Sequence, residues 1–211
     1  MQNLTLYTSP QSRGTYVRWM LEECQAPYRA VAQPVAALQT AEYRAINPLG
    51  KVPALKVGDQ AGEVVLTETL GIITWLAEQF PEKNLIPPAH SVARGEYYRW
   101  MCFALHLEYA CVDKKRGIEN SSEQRTFIGY GSFDEALQLF KTHLQGRAYI
   151  VGDGFTALDL YYSGFLAWMI HAAQVLPADP VFIDYMNRHL ARPAFVKTRE
   201  LDAADAASFA A

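Results

Sequence analysis

This chain has little cysteine, little net charge and no long apolar run. Its 211 residues hold three cysteines, Cys24, Cys102 and Cys111, with no C-x-x-C pair and no spacing that suits a metal centre. That usage fits a reduced, intracellular protein whose thiols are buried small hydrophobes. The histidines, His90, His106, His143, His171 and His189, are too scattered to form a metal site, so no metal is expected. The formal net charge is −3 and evenly spread: residues 1–80 carry six basic and seven acidic side chains, the remainder thirteen and fifteen. No surface for nucleic acid or anionic lipid follows from that balance. The one basic run, Lys114-Lys115-Arg116, ends a helical pattern, where the helix dipole favours cations. No stretch reaches the roughly eighteen apolar residues of a membrane span, and the chain opens on a strand pattern without a charged leader. A soluble, cytoplasmic protein is expected.

What the chain does have is enough hydrophobic material, half of its residues, to bury a core in two small domains. Leu4 and Leu6 alternate with Thr5 and Tyr7 as a strand; Val17, Met20, Leu21 and Cys24 then fall at helical spacing from about Gly14. Tyr28 to Val31 reads as a second strand and Thr40 to Ile46 as a weaker helical piece. Ala54 to Val57 and Val64 to Leu66 read as a hairpin across a Gly- and Asp-containing loop, and Glu68 to Phe80 is a strong helix. Three prolines in the eight residues Pro81 to Pro88 mark an ordered linker. Beyond it the pattern is helical: Ala93 to Arg116, Glu123 to Leu144, Thr156 to Ala173, Pro180 to Leu190 and Pro193 to Leu201, with a frayed Ala-rich tail. Thr156 and Asp159 have capping-box spacing before an apolar helix, a folding role.

One stretch carries chemistry. In Asn47-Pro48-Leu49-Gly50-Lys51-Val52-Pro53 a proline stands where a strand should begin; lacking an N–H for the ladder, it leaves its neighbour's backbone pointing outward, able to pair with an extended ligand. Thr67-Glu68-Thr69 puts a carboxylate, a hydroxyl and helix N-terminal N–H groups together, a setting that holds the ammonium and carboxylate of an α-amino acid. A short anionic peptide is the implied ligand.

With Leu4-Thr5-Leu6-Tyr7-Thr8-Ser9-Pro10 and Ser12-Arg13-Gly14 upstream, and Phe155-Thr156-Ala157-Leu158-Asp159 downstream, the chain resembles a cytosolic glutathione transferase of the bacterial serine type. The resemblance runs nearly end to end, with Glu68-Thr69 in place of the family's usual Glu-Ser and Leu158 where a small residue is usual. It implies an α/β thioredoxin-like, glutathione-binding domain at 1–80, a linker at 81–89 and an all-helical domain at 90–211. It implies Val52 at the cysteinyl moiety beside a cis Pro53, Glu68 and Thr69 at the γ-glutamyl end, and Lys51 at the glycine carboxylate. It further implies glutathione as co-substrate, a hydrophobic electrophile as acceptor, a detoxifying transferase activity and a homodimer. Reduction, dehalogenation, isomerisation, or ligand binding without turnover would use the same half-site.

A thiol reacts as its thiolate, and at a pKa near 8.5 only a few per cent is ionised at pH 7. A hydroxyl hydrogen bond to the anion, worth about 1.5–3 kcal/mol, aided by a helix N-terminus, would supply most of the necessary shift. Tyr7, Ser9 and Ser12 compete for that role. Ser12 is favoured for its place before the helix and its likeness to the serine of serine-type transferases, with a helix-capping role as the alternative. The electrophile pocket is expected between the domains, lined by the first loop and the helix bearing Tyr97, Tyr98, Trp100, Met101, Phe103, Leu105 and Tyr109, whose apolar side chains exceed one face.

Overall fold

The computed structural model describes residues 3–59 and 62–209. The chain has a thioredoxin-like α/β domain followed by helices. Among the described residues it divides into two compact units, Met1–Leu85 with Ala191–Ala211, and Ile86–Leu190.

In the first unit, strands β1 (Asn3–Thr8), β2 (Tyr28–Ala32), β3 (Ala54–Asp59) and β4 (Gly62–Leu66) form one sheet in the order β2-β1-β3-β4. β1 pairs parallel to β2 and antiparallel to β3. The alternation read from β1 is real, with Leu4, Leu6 and Thr8 buried. Helix α1 (Gly14–Cys24) buries Val17, Met20, Leu21 and Cys24 and ends at Gln25, which is in the left-handed conformation. The piece expected at Thr40 to Ile46 is the short helix α2 (Ala41–Arg44), capped by Thr40 and preceded by a 3-10 turn at Val35–Gln39. Residues 60 and 61 of the β3–β4 loop lie outside the described residues. Helix α3 (Thr69–Gln79) packs beside α1.

The second unit contains α4 (Val92–Lys115), α5 (Ser122–Arg125), α6 (Phe133–Leu144), α7 (Ala157–Ala167), continued by a π-helical turn at Trp168–Ala172, and α8 (Pro180–Leu190). The single helix expected from Glu123 to Leu144 is broken. Gly131 takes φ +67°, and Gly129 lies so close to the His106 ring that a Cβ there would come within 2.2 Å of it. Of the crowded α4, Tyr97, Trp100, Ala104, Leu107 and Cys111 enter the core, while Tyr98, Leu105 and Tyr109 are exposed on one face. The expectation of buried thiols holds for Cys24 and Cys111, whose pKa values burial pushes up to about 12, and fails for Cys102, which is exposed on that α4 face. Ala148–Val151 is irregular and tied to Asp159 and His189.

The last helix also differs from the expectation. α9 (Pro193–Ser208) runs well past Leu201 and belongs to the first unit, along α1. Arg192 forks onto Glu23 at 2.6 and 2.8 Å, and the Phe195 and Trp19 rings lie 4.6 Å apart. Lys197 reaches Glu22 at 2.6 Å. Asp202 and Asp205, which the sequence placed in a fraying tail, both pair with the buried Arg18. No helix among the described residues is long and apolar enough to cross a membrane.

Candidate functional site

Strand register brings the site together. Tyr7 lies opposite Ala54 and Leu55 opposite Leu66, so the end of β1, the start of β3 and the end of β4 meet at one edge of the sheet. The loop at Ser9–Arg13, the turn bearing Val52 and the Glu68-Thr69 pair all leave from that edge. Three segments separate in sequence therefore converge because an antiparallel strand begins beside its neighbour's end.

In the first loop Ser12 acts as a staple. Its hydroxyl donates to the Ser9 carbonyl at 2.6 Å and accepts the Gly14 N–H at 3.0 Å, and the Thr15 N–H donates to the Ser12 carbonyl at 3.1 Å. Ser9 is buried. Gly14 is required by close approach: a Cβ there would stand 2.0 Å from Thr8 Oγ1 and 2.9 Å from Thr8 Cβ. Thr8 Oγ1 is itself buried with no hydrogen-bond partner among the described residues. Tyr7 is half-buried, its ring edge-on to Tyr43 at 6.3 Å, so packing accounts for its position.

The Val52 turn is braced from behind. Gly50 N–H closes onto the Asn47 carbonyl at 2.8 Å, and Asn47 Oδ1 accepts the Leu49 N–H at 3.2 Å. The Lys51 carbonyl accepts from Tyr43 Oη at 2.7 Å and from Asn47 Nδ2 at 2.8 Å. Burial, with Tyr7 nearby, pushes the Tyr43 hydroxyl up to about 12, so it remains a donor at neutral pH. Gly50 takes φ +61°, and a Cβ there would meet the Leu38 carbonyl at 2.7 Å. The Val52–Pro53 bond is cis, as the turn's resemblance implied. With Lys51's carbonyl held inward, Val52 enters no hydrogen bond among the described residues. Pro53 is buried and Lys51 exposed.

At the third segment Glu68 is exposed and Thr69 buried. Glu68 sits at φ +65°, ψ 112°, a sparsely populated conformation for a side chain with a Cβ, costing about 1–3 kcal/mol. Such strain persists where the surroundings over-determine it, and binding sites are common examples. Helix α3 opens without a side-chain cap, so its first N–H groups are available to an outside acceptor.

Sequence reasoning singled out Ser12, Lys51, Val52, Pro53, Glu68 and Thr69, which lie on the three segments that leave this edge. It did not find the brace of Tyr43 and Asn47. Asn47 could have been flagged as an Asn-Pro turn former; Tyr43 carries no local signal. Among the described residues no group of three His, Cys, Asp or Glu side chains is placed to hold a metal.

Residues 6–84 match the family model described as glutathione S-transferase, N-terminal domain. The chain is 27% identical over 157 residues to glutathione S-transferase GstA of Escherichia coli O157:H7, covering 72% of this chain and 74% of that protein. A glutathione transferase crystal structure from Methylococcus capsulatus superposes with a TM-score of 0.78 at 23% identity, over 95% of this chain and 98% of the other. A sphingomonad glutathione S-transferase complexed with glutathione gives 0.74 at 24% identity, over 94% and 98%. Both share the fold, the helical portion included.

Proposed function

We propose that this chain is a cytoplasmic glutathione S-transferase that conjugates the glutathione thiolate to hydrophobic electrophiles; the match of residues 6–84 to that family's N-terminal-domain model and the shared fold support the reading. The observation that carries the reading is the convergence of an unpaired Val52 main chain, an exposed carboxylate at an uncapped helix start and a hydroxyl-bearing loop on one sheet edge. Each segment matches one part of glutathione. Val52 pairs with the cysteinyl main chain, Glu68 takes the γ-glutamyl ammonium, Thr69 and the α3 N-terminus take its carboxylate, and Lys51 faces the glycine carboxylate. The sphingomonad relative, whose structure is of a complex with glutathione, supports the ligand.

Ser12 is proposed as the donor to the thiolate, although its hydroxyl is engaged with the Ser9 carbonyl. The magnitudes favour the exchange. A neutral hydrogen bond contributes about 0.5–1.5 kcal/mol and one to a charged acceptor about 1.5–3 kcal/mol, so rotating the O–H from carbonyl to sulfur is favourable once the anion is present. No cysteine stands in the loop, which disfavours mixed-disulfide chemistry.

Glu68→Gln tests the placement. Losing the charge at the ammonium should weaken glutathione binding about tenfold, near 1.4 kcal/mol, as measured by calorimetry. An unchanged affinity would remove Glu68 from the site. The exposed Tyr98, Leu105 and Tyr109 face of α4 supports a two-fold homodimer. Sedimentation at micromolar concentration should give a dimer, and a monomer would reject it.

A further inference from the structure

The contact between α9 and α1 is more polar than a helix pair needs for stability alone. Thr15, Arg18, Thr198 and Asp202 are all buried there. Thr15 Oγ1 donates to Asp202 Oδ2 at 2.5 Å, Arg18 Nη1 lies 3.1 Å from Asp202 Oδ1, and Arg18 Nη2 lies 2.5 Å from Asp205 Oδ2. Buried charge pairs of this kind are weak stabilisers, because desolvation offsets their attraction; apolar side chains of the same volume would hold two helices together as well. What they supply is a defined position.

That position has a short route to the loop. The far end of α1 is already clamped by Arg192 on Glu23, Lys197 on Glu22 and Phe195 on Trp19. Asp202 adds a contact at the near end, on the second residue of the helix. Thr15 is joined through its own N–H to the Ser12 carbonyl, and its neighbour Gly14 through its N–H to the Ser12 hydroxyl. The carboxylate is thus two hydrogen bonds from Ser12. Burial pushes the Asp202 carboxyl up, while Thr15 and Arg18 pull it down.

We propose that Asp202 of α9 is a positioning residue for the glutathione site: by accepting from Thr15 it fixes the first turn of α1, and through that turn the orientation of the Ser12 hydroxyl. This rests on the reading of the first loop as the thiol-binding loop. The C-terminal helix then sets the chemistry of a site assembled from the first seventy residues.

Two variants of the full chain test it by two readouts. Thr15→Val keeps the shape and the Arg18–Asp202 pair but removes the hydroxyl. Asp202→Ala removes the acceptor of Thr15 together with the pair to Arg18. In Thr15→Val, amide exchange at Gly14 and Thr15 should quicken roughly tenfold while the rest of α1 is unchanged. The thiol pKa of bound glutathione, followed by thiolate absorbance, should rise by about 0.5–1 unit, with kcat falling roughly three- to tenfold and KM for glutathione unaltered. Asp202→Ala should melt at a lower temperature than wild type and raise the thiol pKa at least as far as Thr15→Val does. If Thr15→Val leaves exchange and thiol pKa at wild-type values, or if a folded Asp202→Ala leaves the thiol pKa at the wild-type value, the proposal is overturned. If exchange quickens as expected while the wild-type protein binds no glutathione, the positioning of the turn stands and the glutathione reading fails.

Discussion

Asp159→Ala should lose on the order of 3–5 kcal/mol of stability, the largest single effect expected in this chain. Asp159 is completely buried, and its two oxygens take four donors: the Ile150 N–H at 2.7 Å, Tyr185 Oη at 2.7 Å, the Thr156 N–H at 2.8 Å and Thr156 Oγ1 at 2.9 Å. Truncation strands all four, at about 1–3 kcal/mol each before relaxation. In a chain of this size that shift lowers Tm by roughly 8–15 °C. Burial pushes the carboxyl up to about 6 against the pull of these donors. Because that value lies above the ordinary one of 3.8, the native state binds the proton more tightly than the unfolded chain. Wild-type stability therefore falls as pH rises from about 4 to 6 and is flat above. Asp159→Asn should abolish that slope. Denaturation across this range checks both statements, and turnover per folded molecule should be unchanged. Lost turnover with wild-type melting would instead put the pair in the chemistry.

Ser12→Ala should cut turnover by roughly ten- to a hundredfold, as expected for losing about 1.5–3 kcal/mol of anion stabilisation. Glutathione affinity should stay within a few-fold, since the contacts proposed for Val52, Glu68 and Thr69 are kept. The substitution also removes the acceptor of the Gly14 N–H, at about 0.5–1.5 kcal/mol of stability, so melting alone does not separate the roles. Ser12→Thr, which keeps the hydroxyl, should restore much of the rate. Parallel Ser9→Ala and Tyr7→Phe variants decide among the three hydroxyls: abolished turnover in either, with Ser12→Ala near wild type, would reassign the donor.

Local chemistry made much of this fold legible. Alternation in β1, helical spacing in α1, the Pro53 turn and the Thr156/Asp159 spacing are short-range patterns, and each appears where the sequence placed it. The parts that were not legible depend on partners far along the chain. Asp202 and Asp205 look like solvated residues in an Ala-rich tail until Arg18 is placed beside them. The break between α5 and α6 turns on Gly129 meeting His106 of another helix. Tyr43 braces Lys51 by a contact across a turn that no periodicity reports. The strained backbone at Glu68 was likewise invisible, because its residue type gives no warning of a positive φ.

This sheet edge is proposed to bind glutathione and to hold its sulfur as the anion. The most direct measurement is a pH titration of thiolate absorbance in the wild-type protein saturated with glutathione. The account predicts an apparent pKa near 6.5, about two units below the free thiol, so that roughly three quarters is ionised at pH 7. A value equal to that of free glutathione, or no saturable binding at all, would contradict it.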